Sequence, residues 1–217
     1  MGDGYSRKKV TPRTSISLRL YTLSQVKGMN INMKEPSEQL IEMLGHPYSP
    51  KSVQVLLQSF GVKRMAKPNS YFNDDIIWSV KSSIRIDIYR APKINDLTGL
   101  KYTNQDEWII GAIHFLAPGS DDRIKAQFPG YLPKGITMNS TPDESIKAYG
   151  QPELDEECEW PGFFGRILAW RKPGINIAIE YEDSEIDRVM RSYTACLIGC
   201  IGAWRNDNPE VFAPWRM

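Results

Sequence analysis

The sequence predicts an α+β fold of two tandem units, each a short helical segment followed by antiparallel strands. Helix signals near 36–61 and 141–150 are each followed by sequence that alternates between apolar and polar residues, as half-buried strands do. The glycines predicted to end the two helical segments, Gly61 and Gly150, are 89 residues apart. A repeated order of helix and strands at this spacing favours two units of similar plan.

The first unit, predicted over 35–127, begins with two helices. Ser37 can cap the first of these, which is predicted to end at Gly45. Pro50 suits the first turn of the second, and Gly61 suits its end. The rest of the unit is predicted as strands at 76–80, 84–89 and 108–116, with a polar loop at 93–105.

The second unit, predicted over 128–217, opens with turn-forming sequence and a capped helix. Thr141 and Glu144 have the spacing of a capping box, in which each side chain accepts a hydrogen bond from the other residue's backbone N–H. Gly150 is predicted to end this helix. The rest is predicted as an acidic loop at 153–162, a hairpin of strands 164–170 and 175–181, and last strands at 186–190 and 194–204.

Charge is unevenly distributed along the chain, although the whole sequence has a net charge of only +1. Residues 1–30 hold six basic residues against Asp3 alone, a net charge of +5. Residues 1–34 are therefore interpreted as a basic, poorly ordered leader, with Met29 or Met33 as a possible working start. Residues 143–187 hold twelve carboxylates against four basic residues, a net charge of −8. Such asymmetry is informative about binding partners.

Cysteine content and hydropathy predict a cytoplasmic protein without a membrane-spanning segment. Three cysteines are too few and too scattered for a disulfide framework. Cys196 and Cys200 are four residues apart in an apolar run, where core packing is a commoner role than metal binding. The longest apolar run, 195–204, is shorter than the roughly 20 residues that cross a bilayer.

Residues that could support catalysis are sparse, and the sequence predicts a protein that is not an enzyme and binds no cofactor or metal. The only imidazole bases are His46, in a turn, and His114, within an apolar strand, and both are interpreted as structural. Cys158 lies between two glutamates, which would raise its pKa and weaken it as a nucleophile. No nucleophile-elbow, zinc-protease, phosphate-loop or dinucleotide-binding motif occurs.

The acidic region carries the predicted partner-binding site. Carboxylates with interspersed aromatic residues suit a cationic protein partner, since charge complementarity speeds association and aromatic side chains supply buried contact. A solvated charged face is the alternative interpretation of the same residues. The predicted partner-binding residues are Asp155, Glu156, Glu157, Glu159, Trp160, Phe163, Glu180, Tyr181, Glu182 and Asp183.

Several turn and cap motifs carry a family resemblance. Phe128-Pro129-Gly130, Leu132-Pro133-Lys134-Gly135-Ile136 and Gly150-Gln151-Pro152, with the earlier Ser49-Pro50 helix start, resemble motifs of bacterial immunity proteins. These proteins are encoded beside polymorphic or type VI secretion toxins and neutralise them by binding. The resemblance covers roughly residues 37–190. In architecture alone, the chain is also similar to tandem domains of the β-lactamase inhibitor protein type.

The resemblance implies a cytoplasmic, non-catalytic inhibitor whose partner is a cognate toxin, such as a nuclease or another enzyme acting in the cytoplasm. No direct contact with nucleic acid or membrane is expected. Two other functions are compatible with the sequence. One is a chaperone or adaptor for a secreted effector, and the other is a hydrolase that uses a pair of carboxylates.

Overall fold

A computed structural model describes residues 34–69, 71–160, 163–183 and 188–197, with the backbone alone at Leu97, Cys158, Trp160 and Phe163. Nearly all of the predicted leader, 1–34, therefore lies outside the described residues. The helices are α1 Pro36–Ile41, α2 Pro50–Leu57, α3 Ala91–Thr98 and α4 Pro142–Tyr149. The strands are β1 Asp74–Ser79, β2 Ile84–Arg90, β3 Trp108–Leu116, β4 Leu154–Trp160, β5 Phe163–Lys172, β6 Ile175–Asp183 and β7 Arg188–Leu197.

The fold is α+β, with seven strands in one antiparallel sheet of order β1-β2-β3-β7-β6-β5-β4. β1 to β3 come from the first predicted unit and β4 to β7 from the second, and the two sets meet where β3 pairs with β7. Among the described strands, β1 and β4 are therefore the two edges of the sheet, and each belongs to a different half of the chain. No described helix is long and apolar enough to cross a membrane.

Local sequence explains where two of the helices begin and end. Ser49 accepts a hydrogen bond from the backbone of Ser52 at the start of α2, and Gly61 takes a left-handed conformation after the 3-10 turn that follows it. The capping box of Thr141 and Glu144 is present with both hydrogen bonds at the start of α4. These predicted helix ends are confirmed, as is the β5–β6 hairpin around Pro173 and Gly174.

Three of the predicted elements were wrong. Ser37 does not cap α1; Glu35 occupies that position, and the buried Ser37 hydroxyl donates to the carbonyl of Tyr131 at 2.5 Å. The predicted loop 93–105 contains most of α3, whose Pro92 start and buried Ile94 outweigh the polar composition. The predicted loop 153–162 contains β4, which pairs with β5 along its whole length.

The last strands also differ from the prediction. The segments predicted as 186–190 and 194–204 form one continuous strand, β7, over Arg188–Leu197. A bulge opposite Glu180 and Tyr181 shifts its register against β6, so the apolar alternation of β7 changes phase within the strand. That change of phase makes one strand look like two in sequence. The rest of the predicted last strand, 198–204, lies outside the described residues.

An aromatic chain runs through the core that lies between the helices and the sheet. Phe60, Phe128, Phe115 and Tyr193 follow one another with ring centroids 5.1, 4.7 and 5.9 Å apart. The hydroxyl of Tyr193 then forms a hydrogen bond with the hydroxyl of Tyr149 in α4, 3.0 Å away. Because these rings come from both halves of the chain, the described residues share one core.

Candidate functional site

Strand alternation separates the sequence-predicted site residues onto two faces of the sheet. Tyr181 hydrogen-bonds to α4 and so defines the helix-side face at this end of β6. Residues paired across strands lie on the same face, and so do residues two positions apart in one strand. Arg166 pairs with Tyr181 and Glu157 pairs with Arg166, so both lie on the helix-side face, and the residues next to them in sequence lie on the second face. Asp155, Glu157, Glu159 and Asp183 fall on the helix-side face, and Glu156, Glu180 and Glu182 fall on the second face.

We name the helix-side carboxylates and the aromatic residue among them the acidic corner: Asp155, Glu157, Glu159, Phe164 and Asp183. The β4 carboxylates are exposed and Asp183 is partly buried. Phe164 lies opposite Glu159 in the β4–β5 register, and 55% of its surface is exposed. A large aromatic side chain with this exposure among charged neighbours is the composition of a protein-binding patch.

Two arginines pair with most of the carboxylates at the acidic corner. Arg166 binds Asp155 through two hydrogen bonds of 2.6 Å, and this pairing lowers the pKa of Asp155. Arg188 lies 2.8 Å from Glu157 and 2.8 Å from Asp183. The corner therefore presents four carboxylates against two guanidinium groups, a net charge of −2. Three of the four corner carboxylates are therefore paired with an arginine.

Tyr181 was predicted to contact a partner, and this prediction was wrong. The side chain is fully buried in the core, and its hydroxyl lies 2.6 Å from Ser145 Oγ of α4. Burial raises its pKa to about 12, so the phenol is neutral. Tyr181 cannot contact a partner at the surface because its side chain points toward the helices and its ring is packed in the core.

Glu180 was also predicted as a contact residue, but it is nearly buried on the second face. Ser192 Oγ donates to its carboxylate at 3.1 Å. Burial raises the pKa of Glu180 to about 7, and the Ser192 hydrogen bond opposes this shift only in part. A buried carboxyl group with this pKa is a poor element of an electrostatic docking surface, since it is partly neutral near pH 7.

The backbones of Trp160 and Phe163 are opposite one another where β4 and β5 meet in a hairpin. This position is at the far end of the acidic corner, next to Glu159 and Phe164. Their side chains lie outside what the structure describes. The prediction that these two aromatic residues contact a partner therefore remains a prediction.

A buried ladder of polar groups crosses the second face near the centre of the sheet. Arg85 holds Asp87 through two hydrogen bonds of 2.7 Å, and Asp87 lies 3.1 Å from His114 Nε2. His114 Nδ1 lies 2.9 Å from Thr194 Oγ1. Burial alone would raise the pKa of Asp87, but the hydrogen bonds from His114 and Arg85 outweigh it and leave that pKa lowered.

The order carboxylate, imidazole, hydroxyl in this ladder has the composition of a catalytic triad. A nucleophile must also be reachable by substrate, and Thr194 is only 2% exposed. Both ring nitrogens of His114 are already engaged within the ladder. The arrangement therefore fits the interpretation of His114 as a structural histidine whose hydrogen bonds are satisfied, tying β2, β3 and β7 together.

The opposite edge of the sheet carries a cationic group that the sequence analysis missed. We name it the basic edge: Lys63, Arg64, Trp78, Val80 and Lys81, which line one surface cavity of about 330 Å³. The three cations are exposed, and Trp78 is partly buried. They come from two segments separated by more than ten residues, so no run of charge marked the site.

Comparisons with known proteins do not add to this picture. No protein-family model, no curated protein and no solved structure matches the chain. Among the described side chains, no group of three or more His, Cys, Asp or Glu is placed to hold a metal ion. The geometry and charge of the two edges are therefore the features that bear on function.

Proposed function

We propose that this chain is an immunity protein, which binds a cognate secreted toxin and neutralises it by non-catalytic occlusion. One observation carries the proposal: the acidic corner exposes Phe164 beside carboxylates that local arginines only partly neutralise. An apolar anchor ringed by excess negative charge suits a cationic protein surface. The aromatic ring supplies buried contact area, and the carboxylates steer the partner and fix its orientation.

A cationic cleft is a reasonable target for such a surface. Enzymes that act on nucleic acid concentrate Lys and Arg around their active sites, because phosphate contacts dominate their affinity. An inhibitor that presents carboxylates would compete for the same cations. The toxin is therefore proposed to be a nuclease or another enzyme acting in the cytoplasm, and the immunity protein is proposed to work there.

The ion pairs of the acidic corner support this proposal in a second way. Arg166 and Arg188 hold Asp155, Glu157 and Asp183 in fixed positions on neighbouring strands. Carboxylates that are already ordered lose less side-chain entropy on binding than mobile ones. Glu159 makes no ion pair with a described residue, so it is the corner carboxylate best placed to pair with a partner's Lys or Arg.

The tandem organisation belongs to the proposal as well. In each half of the chain a helical segment precedes an antiparallel meander, and the last strands of the two meanders, β3 and β7, pair with each other. This arrangement is what two similar units joined side by side would produce. It leaves the first strand of each meander, β1 and β4, at opposite edges of the described sheet.

Growth rescue and binding affinity test the proposed function. The chain is co-expressed with the protein encoded beside its gene, the proposed toxin, and the affinity of the purified pair is measured by calorimetry. E159K/F164A removes the anchor and the free carboxylate but leaves every described ion pair intact. We expect at least about a tenfold loss of affinity, the loss that removing one contact worth about 1.4 kcal/mol gives, and a loss of rescue.

The matched control is D122K/V55A, which changes an exposed carboxylate and an exposed aliphatic residue elsewhere on the surface. It should leave affinity and rescue unchanged. If both variants bind like the wild type, the acidic corner is not the interface. If the wild type fails to rescue but improves the solubility or loading of a secreted effector, the chaperone alternative is favoured. Turnover abolished by one Asp or Glu substitution would instead favour the hydrolase.

A further inference from the structure

A cavity on the helix side of the sheet has the size and composition of a small-molecule site. Its volume is about 390 Å³, and residues of α1, α4 and the β5–β6 hairpin line it. Small-molecule sites occupy roughly 300 to 1,000 Å³. The hairpin turn is at the opposite end of β5 and β6 from the acidic corner, so the two sites are separate.

The described walls of this cavity are mainly apolar, and their burial differs from one end to the other. Tyr193 and Ile177 line it and are 0% and 5% exposed. Ile41, Ala148 and Ile175 line it too and are only partly buried. The cavity therefore has a buried apolar end and an end that solvent can reach, which suits a ligand with an apolar body.

Two tyrosine hydroxyls face the cavity, but both of their hydrogens are already used. Tyr149 donates to the carbonyl of Pro133 at 2.8 Å, so the Tyr193 hydroxyl, 3.0 Å away, must donate to Tyr149. Burial raises the pKa of both phenols and keeps them neutral. Lys134 and Lys172 are therefore the only described lining side chains that can donate to a ligand.

The two lysines are held beside the cavity by the same tyrosine. Lys172 Nζ donates to the carbonyl of Tyr149 at 3.1 Å, which leaves two ammonium hydrogens for a ligand. Lys134 is exposed in the turn Pro133–Gly135, where its φ of 67° is unusual for a residue other than glycine. The Tyr149 hydroxyl anchors that turn through Pro133. Neither lysine forms an ion pair with a described carboxylate.

The charge around the cavity favours an anion. No described lining residue is acidic. Glu38 of α1 is close enough to contribute to the raised pKa of both tyrosines, after the larger effect of burial. Two lysines against this one carboxylate leave a net charge of +1, with the cations lining the cavity and the carboxylate outside its lining.

We propose that this cavity binds a small amphipathic carboxylate, such as a medium-chain fatty acid, with its apolar chain against Ile177 and Tyr193 and its carboxylate on Lys134 and Lys172. The buried apolar end selects the chain, and the two ammonium groups select the acid. This binding does not depend on the proposed immunity function, because it uses no residue of the acidic corner.

Other classes of small ligand fit the cavity less well. A sugar or a nucleoside needs several donors and acceptors along its length, whereas both tyrosine hydroxyl hydrogens are engaged. A neutral hydrocarbon would fill the apolar end but would leave both ammonium groups unused. An amphipathic amine would place a cation beside two others, which is unfavourable.

Titration calorimetry of the full chain with decanoate at low salt tests the assignment. Decanol and decylamine have the same chain length and serve as the neutral and cationic comparison ligands. We expect decanoate to bind and decanol to bind at least about tenfold more weakly, because it cannot form charge-assisted hydrogen bonds with the lysines. Decylamine should show no measurable binding.

Two pairs of variants locate the binding site. K134M/K172M keeps the apolar stems but removes both charges, and it should lower decanoate affinity at least about tenfold. K51M/K101M makes the same change at exposed lysines elsewhere and should have little effect. A148L keeps both lysines and fills the cavity, so it should abolish binding, whereas A126L at an exposed alanine should not. Thermal denaturation checks that each variant is folded.

Three results would overturn the proposal. The first is no measurable binding of decanoate to the wild type. The second is decanol or decylamine binding as tightly as decanoate, which means that the lysines do not select the acid. The third is a folded A148L or K134M/K172M variant that binds decanoate as tightly as its matched control, which places the ligand elsewhere on the protein.

Discussion

The acidic corner and the basic edge lie at opposite edges of the sheet and carry opposite charges. Most of the charged groups at the acidic corner form ion pairs, whereas the cations of the basic edge form none with a described residue. At the acidic corner, Arg166 and Arg188 neutralise much of a dense run of carboxylates. At the basic edge, three cations gathered from separate segments have no described partner. The region that looks most charged in sequence is thus the better compensated one. Charge counted along a chain predicts surface potential only after the pairs formed across strands are known.

The largest effect should come from an acidic residue that belongs to neither edge. Burial raises the pKa of Glu180 to about 7, above its unfolded value near 4.3. The folded protein then holds the proton more tightly than the unfolded chain, so stability falls as pH rises from about 4.3 through about 7. Glu180→Gln should therefore stabilise the protein near pH 8 by up to about 3 kcal/mol, and should change little near pH 4.

Chemical denaturation at the two pH values measures this effect directly. Glu182→Gln, two residues along on the same face but only partly buried, is the matched control and should show a much smaller pH-dependent change. Equal destabilisation by Glu180→Gln at both pH values would mean that its carboxylate is ionised and favourably bound. Glu180 would then resemble the carboxylates of the acidic corner that are paired with arginines.

A smaller effect is expected from breaking one pair at the acidic corner. Arg166→Met removes the partner of Asp155 and should cost about 1 kcal/mol in the free energy of unfolding, the upper range for exposed bidentate pairs. A double-mutant cycle with Asp155→Asn isolates the coupling energy by denaturation. The coupling should shrink as salt is added. A coupling near zero would mean that the pair does not order the corner.

The smallest effect should come from the basic edge. Lys63→Ala and Lys81→Ala remove cations that stabilise no described ion pair, so each should change the free energy of unfolding by less than about 0.5 kcal/mol. Thermal denaturation checks this. A loss similar to that of Arg166→Met would show that these cations are structural, and would remove the contrast between the two edges.

Sequence patterns identified the elements whose signals are local. The start of α2 at Ser49, the capping box of α4 and the turn at Pro173–Gly174 depend on residues a few positions apart, and all three were predicted. α3 was missed because two buried apolar residues, Ala91 and Ile94, and a proline start outweigh a polar composition. β4 was missed because an edge strand needs no apolar alternation on its exposed parts.

The candidate sites were predictable only in part, because they depend on contacts between residues that are distant in sequence. β4 carboxylates were recognised as a group because they are consecutive, but the strand period places Glu156 on the opposite face from Asp155 and Glu157. Tyr181 was assigned to the surface because its neighbours are acidic, whereas its contact with Ser145 is made across 36 positions of the chain. The basic edge depends wholly on such distant contacts, so sequence alone gave no signal for it.

The proposed toxin is expected to bind at the acidic corner. Amide hydrogen exchange of the chain, measured alone and in complex with the protein encoded beside its gene, locates the bound surface. We expect added protection in β4 and the first residues of β5, around Glu159 and Phe164, and none in β1. Protection confined to β1 and the basic edge, with β4 exchanging as in the free protein, would contradict it.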